Sequence, residues 1–111
     1  MEDCIFCKIA KHEHESDILF ENDHVIVISD IMPKAPIHLL VMPKEHIVSV
    51  NELQQGQGPL VGEMILVAQA QAREHGISDS GYKLVFNVGK DGGQVIPHLH
   101  LHVLGGKAMP E

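Results

Sequence analysis

The sequence predicts an α+β domain in which helices cover one side of a mainly antiparallel sheet. Three observations lead there: β-branched, apolar runs at residues 25–28 and 37–42, one long amphipathic stretch beginning near Pro59, and two further strand segments at 82–88 and 95–104 joined by a glycine-rich turn. The order strand, strand, helix, strand, strand suits antiparallel pairing, and the last two segments are close enough for a hairpin. A parallel nucleotide-binding fold is not expected, because repeated strand–helix units and a strand-linked GxGxxG signature are both missing.

With 111 residues, 44% of them hydrophobic and 21% charged, the chain has the size and composition of a single domain, residues 1–111, with one modest core. Ile5, Phe6 and Ile9 form an apolar stripe for a short helix over residues 3–11, with Asp3 as its cap. The segment after it is polar as far as Ile18. Residues 25–28 read as a strand closing at Ser29 and Asp30; Pro33 and Pro36 stiffen the link to the second strand, which Pro43 ends. Ser49, Asn51 and Gln54 suit a short capped helix or turn, broken at Gly56 and Gly58. Pro59 occupies the first turn of the main helix and Gly76 follows its end. Leu60, Met64, Val67, Ala68 and Ala72 share its buried side, while Glu63, Gln71 and Glu74 supply polar surface.

Fifteen acidic residues against 8 basic ones give a net charge of -7, which argues against a broad nucleic-acid-binding face. A single phosphate is still within reach of backbone N–H groups and imidazoles. Met1, Glu2, Asp3 and Cys4 open the chain with two acids rather than a basic and then apolar leader, and no apolar run reaches the roughly 18 residues of a membrane span. A cytoplasmic location is therefore the expectation.

The most informative stretch is Pro97-His98-Leu99-His100-Leu101-His102-Val103. On a strand, alternation places His98, His100 and His102 on one face and Leu99, Leu101 and Val103 on the other, so the apolar face enters the core while three imidazoles line a pocket. Three such residues can also simply decorate an exposed sheet. A shared metal is restricted by geometry: three alternating ligands on a straight strand span about 13 Å, too far for all of them to touch one zinc. Imidazole titrates near neutrality, so one ring can attack phosphorus while another donates a proton or a hydrogen bond. His100, with a neighbour on each side, is the best-placed nucleophile. Ahead of it, Gly89, Gly92 and Gly93 let the backbone approach a phosphate closely, and Gln94 adds an amide; a plain turn is the alternative. Asn87 stands where the preceding strand meets that turn, suited either to capping it or to donating to phosphate.

In these residues the chain resembles the histidine triad superfamily, in the branch of histidine triad nucleotide-binding proteins or nucleoside phosphoramidases. The likeness rests on residues 87–106, 30–38 and 43–47, and extends from about Cys4 to Gly106. It implies a homodimer whose protomers join their sheets, and hydrolysis of purine nucleoside phosphoramidates and related AMP adducts to the nucleoside 5'-monophosphate through a nucleotidyl-histidine. By this resemblance His100 is the nucleophile, His102 contacts the phosphate or the departing group, and the backbone carbonyl of His98 holds the tautomer of His100. His38 would support the triad through the side chain of His98. Asp30 would receive the ribose hydroxyls, its other reading being a turn cap, and Asn87, Gly93, Gln94 and the Val95 backbone would surround the phosphate. Ile18, Phe20, Ile28 and Ile31 are candidates for the apolar slot around the base. Nucleotidyl transfer to a second phosphate compound, or nucleotide sensing without turnover, are the competing functions.

Two features bear on this reading. Many members of the branch carry serine where this chain has Val95; losing one charge-assisted hydrogen bond weakens a transition state by about 1.5–3 kcal/mol. The tail after Gly106 lacks the tryptophan-bearing specificity element of familiar eukaryotic relatives. Separately, Cys4 and Cys7 have C-x2-C spacing, read as a metal half-site, a redox pair or packing residues. The resemblance completes a structural zinc set with His46 and His98. A thioredoxin-like enzyme is not expected, since its strand–helix context is missing.

Overall fold

The computed structural model describes residues 3–111; Met1 and Glu2, which enter the reading of the amino terminus and of the 1–111 domain, lie outside the described residues. In chain order the elements are α1 (Ile5–Ala10), β1 (Ile18–Glu21), β2 (Val25–Ser29), β3 (Ile37–Pro43), α2 (Gly58–Glu74), β4 (Tyr82–Phe86) and β5 (Leu101–Gly105). One-turn 3-10 helices at Val50–Glu52 and Gln55–Gln57 lead into α2, the first capped by the Ser49 side chain. The strands form one antiparallel sheet in the order β1-β2-β3-β5-β4. The α+β expectation holds.

Strand alternation divides the core in two. Val25, Val27, Leu39, Val41, Leu101 and Val103 face α2, where Met64, Ala68 and Ala72 close over them. Ile26, Ile28, Leu40 and Met42 point the other way and pack against Cys4, Phe6, Cys7 and Ile9 of the α1 region. The helices therefore cover both faces, not one. An antiparallel strand with one solvated face alternates apolar and polar residues, whereas β2 and most of β3 are uninterrupted apolar runs because both their faces are covered.

Four further details depart from the expectations. The cap of α1 is Cys4, whose sulfur accepts the Cys7 N–H at 3.4 Å, and not Asp3. β1 forms at residues 18–21, where the sequence reading assigns no element; it is four residues long with a register irregularity between Ile18 and Phe20. The strand expected at 95–104 shortens to β5, because the chain bends at 96–98 and Leu99 N–H donates at 2.6 Å to Ile47 C=O, outside the sheet. Gln71, assigned to the polar surface, is buried, and its Oε1 has no hydrogen-bond partner among the described residues.

A buried acceptor left unpaired carries a desolvation penalty of about 1–3 kcal/mol. Gln71→Met keeps the length of the side chain and removes that group, so the variant is expected to unfold at a temperature several degrees higher, about 1 kcal/mol more stable by denaturant titration. A lower midpoint would show that the amide is satisfied.

Candidate active site

The histidines gather on the α1 face of the sheet. Register explains it: His102 lies opposite Leu40 of β3 and His38 opposite Leu104 of β5, so both even-numbered side chains emerge beside Ile28 and Leu40. Leu99, Leu101 and Val103 turn to the α2 side as expected. His98 and His100 precede the ladder yet keep the alternation, and the rings of His100 and His102 have centroids 4.9 Å apart.

Each ring is oriented by a specific partner. His100 Nδ1–H donates to the His98 carbonyl oxygen at 2.7 Å, which leaves the Nε2 lone pair free. Lys34 N–H donates at 3.1 Å to His38 Nδ1, so the neutral His38 ring carries its proton on Nε2. That nitrogen lies 2.9 Å from His102 Nδ1 and 3.3 Å from Asp30 Oδ2. Donating to His102 Nδ1 leaves His102 with its own proton on Nε2. The His38 side chain contacts His102, not His98 as the resemblance implied; cross-strand register puts His38 and His102 on neighbouring strands, while His98 lies in the bend at 96–98.

Burial is the leading influence on all four rings. It lowers the pKa of His98 and of His102 to about 4, and lowers those of His100 and His38 from the usual imidazole value. For His102 the neighbouring His100 and His38 push in the same direction. At neutral pH the four rings are therefore uncharged, and His100 carries a free lone pair on Nε2.

The loop between β4 and β5 is built as its glycines predict. Gly89 and Gly93 have φ of +68° and +82°, the left-handed region, and a Cβ at Gly92 would collide with the carbonyl oxygen of Val88. Of the two roles open to Asn87, its amide performs the capping one, donating to Gly92 C=O at 2.8 Å. Gln94 is spent on the loop too: Oε1 accepts Gly89 N–H at 2.9 Å, and Nε2 donates to Val48 and Ile96 carbonyls at 2.7 and 3.0 Å. Val95 is 88% exposed, its side chain holding nothing. Asp30 caps its turn through Met32 N–H at 2.8 Å, matching its reading as a turn cap, and its other carboxylate oxygen lies 3.3 Å from His38 Nε2. Of the base-slot candidates, Ile18 and Ile28 join the α1-side cluster, while Phe20 and Ile31 are exposed.

Cys4, Cys7, His46 and His98 converge, their ligand atoms all within 4.8 Å of one another. Cys4 and Cys7 sulfurs lie 3.4 and 3.6 Å from His98 Nδ1, and Cys7 Sγ lies 3.1 Å from His46 Nδ1. The donor chemistry fits zinc. His98 Nε2–H donates to Pro43 C=O at 2.8 Å, the outer contact that leaves Nδ1 free to bind a metal. Asp30, His38 and His102 also lie within reach of a common ion, but they do not fit. A metal on His38 Nε2 would drive that ring's proton to Nδ1, where it would face the Lys34 N–H, donor against donor.

Three contributors escaped the sequence reading: the Lys34 N–H, the Pro43 carbonyl and the Phe6 ring. Backbone groups leave no mark in residue type. Phe6 packs edge-on against both His98 and His100, with centroids at 5.8 and 5.2 Å, and its place between the two cysteines was the available signal.

Comparison with known proteins agrees with this geometry. Residues 3–110 match the family described as "Scavenger mRNA decapping enzyme C-term binding". The purine nucleoside phosphoramidase of Escherichia coli (strain K12) is 40% identical over 108 residues, 97% of this chain and 91% of the relative. A HIT family hydrolase from Legionella pneumophila superposes with a TM-score of 0.96 at 42% identity, covering 97% of this chain and 96% of that one. A zinc-bound histidine triad family protein from Mycobacterium smegmatis superposes with a TM-score of 0.82 at 27% identity, covering 96% of this chain and 76% of that one. With its alternating histidines, its sheet and nearly its whole length accounted for in this way, the chain belongs to the histidine triad superfamily.

Proposed function

We propose that this chain is a purine nucleoside phosphoramidase that releases nucleoside 5'-monophosphate through a nucleotidyl-histidine formed on His100. The observation that carries the reading is the 2.7 Å contact from His100 Nδ1–H to the His98 carbonyl, which leaves Nε2 as an uncharged nucleophile. The substrate class is that of the Escherichia coli relative. His100 Nε2 attacks the alpha-phosphorus in line, the phosphorus–nitrogen bond breaks, and the amine leaves with a proton. Water then attacks phosphorus, the bond to His100 breaks, and the monophosphate departs. His102 Nε2–H serves the phosphoryl oxygens or the departing nitrogen, and His38 with Asp30 keeps that proton on Nε2.

Around the phosphate we assign Gly93, Gln94 and the Val95 backbone, with Asn87 and the Gln94 side chain acting by holding the loop in shape. Asp30 takes the ribose hydroxyls through the remaining acceptor capacity of its carboxylate, of which Oδ1 accepts Met32 N–H and Oδ2 faces His38. Zinc on Cys4, Cys7, His46 and His98 would be structural, tying the amino-terminal segment to the catalytic one; when bound it supplies four-coordinate cross-linking and no chemistry at phosphorus. The free thiols suit a reducing cytoplasm, and among the described residues no helix is long and apolar enough to cross a membrane.

We also propose a homodimer formed through β4. That strand is an outer edge of the sheet, with Leu84 on the α2 side opposite Val103, and Ile65 and Leu66 of α2 are exposed as well. An unpaired edge beside apolar side chains suits a second copy of the sheet. Leu84→Lys is expected to shift the molecule to a monomer in light scattering; a monomeric parent would end the idea.

Adenosine phosphoramidate tests the function. The parent should release AMP, and trapping should give AMP bound to His100; His100→Asn should slow release by about 10⁴-fold or more. Equal rates would overturn the mechanism, and AMP passing to an added phosphate compound faster than to water would indicate transfer.

The buried rings also set an acid limit. An unfolded His98 takes its proton near pH 6.5, the folded one only near pH 4, so between those values the unfolded state binds more protons. Stability is complete above pH 6.5 and declines as pH falls towards 4, by on the order of 3 kcal/mol for His98. Urea midpoints of the metal-free protein at pH 7.5 and 4.5 should show the loss; a flat profile would refute it.

A further inference from the structure

We propose that Cys4 and Cys7 form a hydroperoxide-reactive modification site whose oxidation slows the enzyme by releasing His98. Three independent features converge on the pair. Both sulfurs face His98 Nδ1, at 3.4 and 3.6 Å. The carbonyl of the same His98 holds His100 Nδ1–H at 2.7 Å. A cavity of about 400 Å³, bordered by Cys4, His46, Val48, Val95, Ile96 and Pro97 among others, leads from the surface to the cluster. Cys4 and Cys7 are the only cysteines in the chain, so an oxidised one has a single resolving partner.

The chemistry closes without any further reactant. Cys4, which borders the cavity, attacks the peroxide oxygen; the O–O bond breaks, the sulfur becomes a sulfenic acid, and hydrogen peroxide leaves water. Cys7 then attacks the sulfenyl sulfur, the S–O bond breaks, a second water departs and the disulfide forms. Two thiols lose two electrons and the peroxide gains them. Were zinc held by Cys4, Cys7, His46 and His98, the two thiolates holding it would be the groups oxidised, and the disulfide would leave only the two imidazoles to bind it. Sulfurs lying within 4.8 Å reach bonding distance by rotation of their side chains, three residues apart at the start of α1.

The consequence follows from what His98 does. With its Nδ1 partners gone, its ring is held only through Nε2–H to Pro43 C=O, and Phe6, between the two cysteines, shifts against the rings of His98 and His100. A displacement of about 1 Å at a reacting group costs about 10²-fold, so partial release of His98 is expected to slow the enzyme about tenfold or more. The nucleophile is unmodified, so the effect is reversible.

The test uses the full chain as purified, its zinc content measured first, with hydrogen peroxide as the probe. Expected are a mass loss of about 2 Da, a peptide joining Cys4 to Cys7, release of any bound zinc to a chromogenic chelator, and a fall of about tenfold or more in kcat, all reversed by dithiothreitol with zinc. Oxidation of the exposed Met32 would instead add mass and leave the thiols free. Absence of the disulfide, or a complete disulfide with unchanged kcat, overturns the proposal. The rate arm rests on the phosphoramidase reading; untreated enzyme inactive on adenosine phosphoramidate would sink that reading alone, because the mass and zinc arms do not need turnover.

Discussion

One backbone carbonyl governs this site. The oxygen of His98 decides which nitrogen of His100 carries the proton, and with it which nitrogen keeps a free lone pair, the one that attacks phosphorus in the proposed reaction. A side-chain acceptor could do the same but would carry rotamer freedom of its own; a carbonyl moves only with its chain. The structure holds that chain firmly. His98 is fully buried, its ring fixed at Nε2 by Pro43 and approached at Nδ1 by two sulfurs, while Leu99 N–H bonds to Ile47 C=O at 2.6 Å. The bend at 96–98 is what makes these contacts possible. It turns a residue that would have been a third pocket histidine into the support of the second.

Fold and chemistry use alternate residues of the same strands. In β3 Leu39 and Val41 fill the α2 core while His38 and Leu40 face the site; in β5 Leu101 and Val103 fill it while His102 faces the site. Slipping either strand by one residue would bury a histidine among aliphatic side chains and expose leucine in its place, so the core enforces the register that assembles the site. The α1 face carries all four histidines of the site. This division explains why α1, only six residues long, matters beyond its size: it is the lid on the chemical face.

What could be read in advance was whatever alternation encodes. Leu99, Leu101 and Val103 against His98, His100 and His102 gave both the core side and the site side, and the glycines at 89, 92 and 93 marked a loop whose backbone needs them. The continuous apolar runs of β2 and β3 already signalled a sheet covered on both faces, and reading them as ordinary antiparallel strands led to the one-sided expectation. His38 was identified, but its partner was not, because pairing depends on register across strands 64 residues apart in sequence. Gln71 illustrates the opposite limit: helical periodicity places it near the boundary of the polar arc, and only packing decides that it is inside.

The charge balance fits the chemistry better than a basic site would. A nucleoside phosphoramidate bears one negative charge on phosphorus, and under the proposed function the site would meet it with N–H donors on neutral rings and on the backbone, desolvated enough to make each bond count. Clustered imidazolium ions would repel one another, and the Nε2 lone pair needed for attack would be lost. Hydrolysis converts that monoanion into a phosphate monoester of charge about -1.5 to -2. A pocket of neutral, buried imidazoles beside Asp30, in a chain of net charge -7, solvates the more highly charged species less well than water does. The neutrality of the imidazoles that leaves a lone pair on His100 Nε2 would, in the proposed reaction, also weaken the hold on the product, so attack and release would draw on one property of the site.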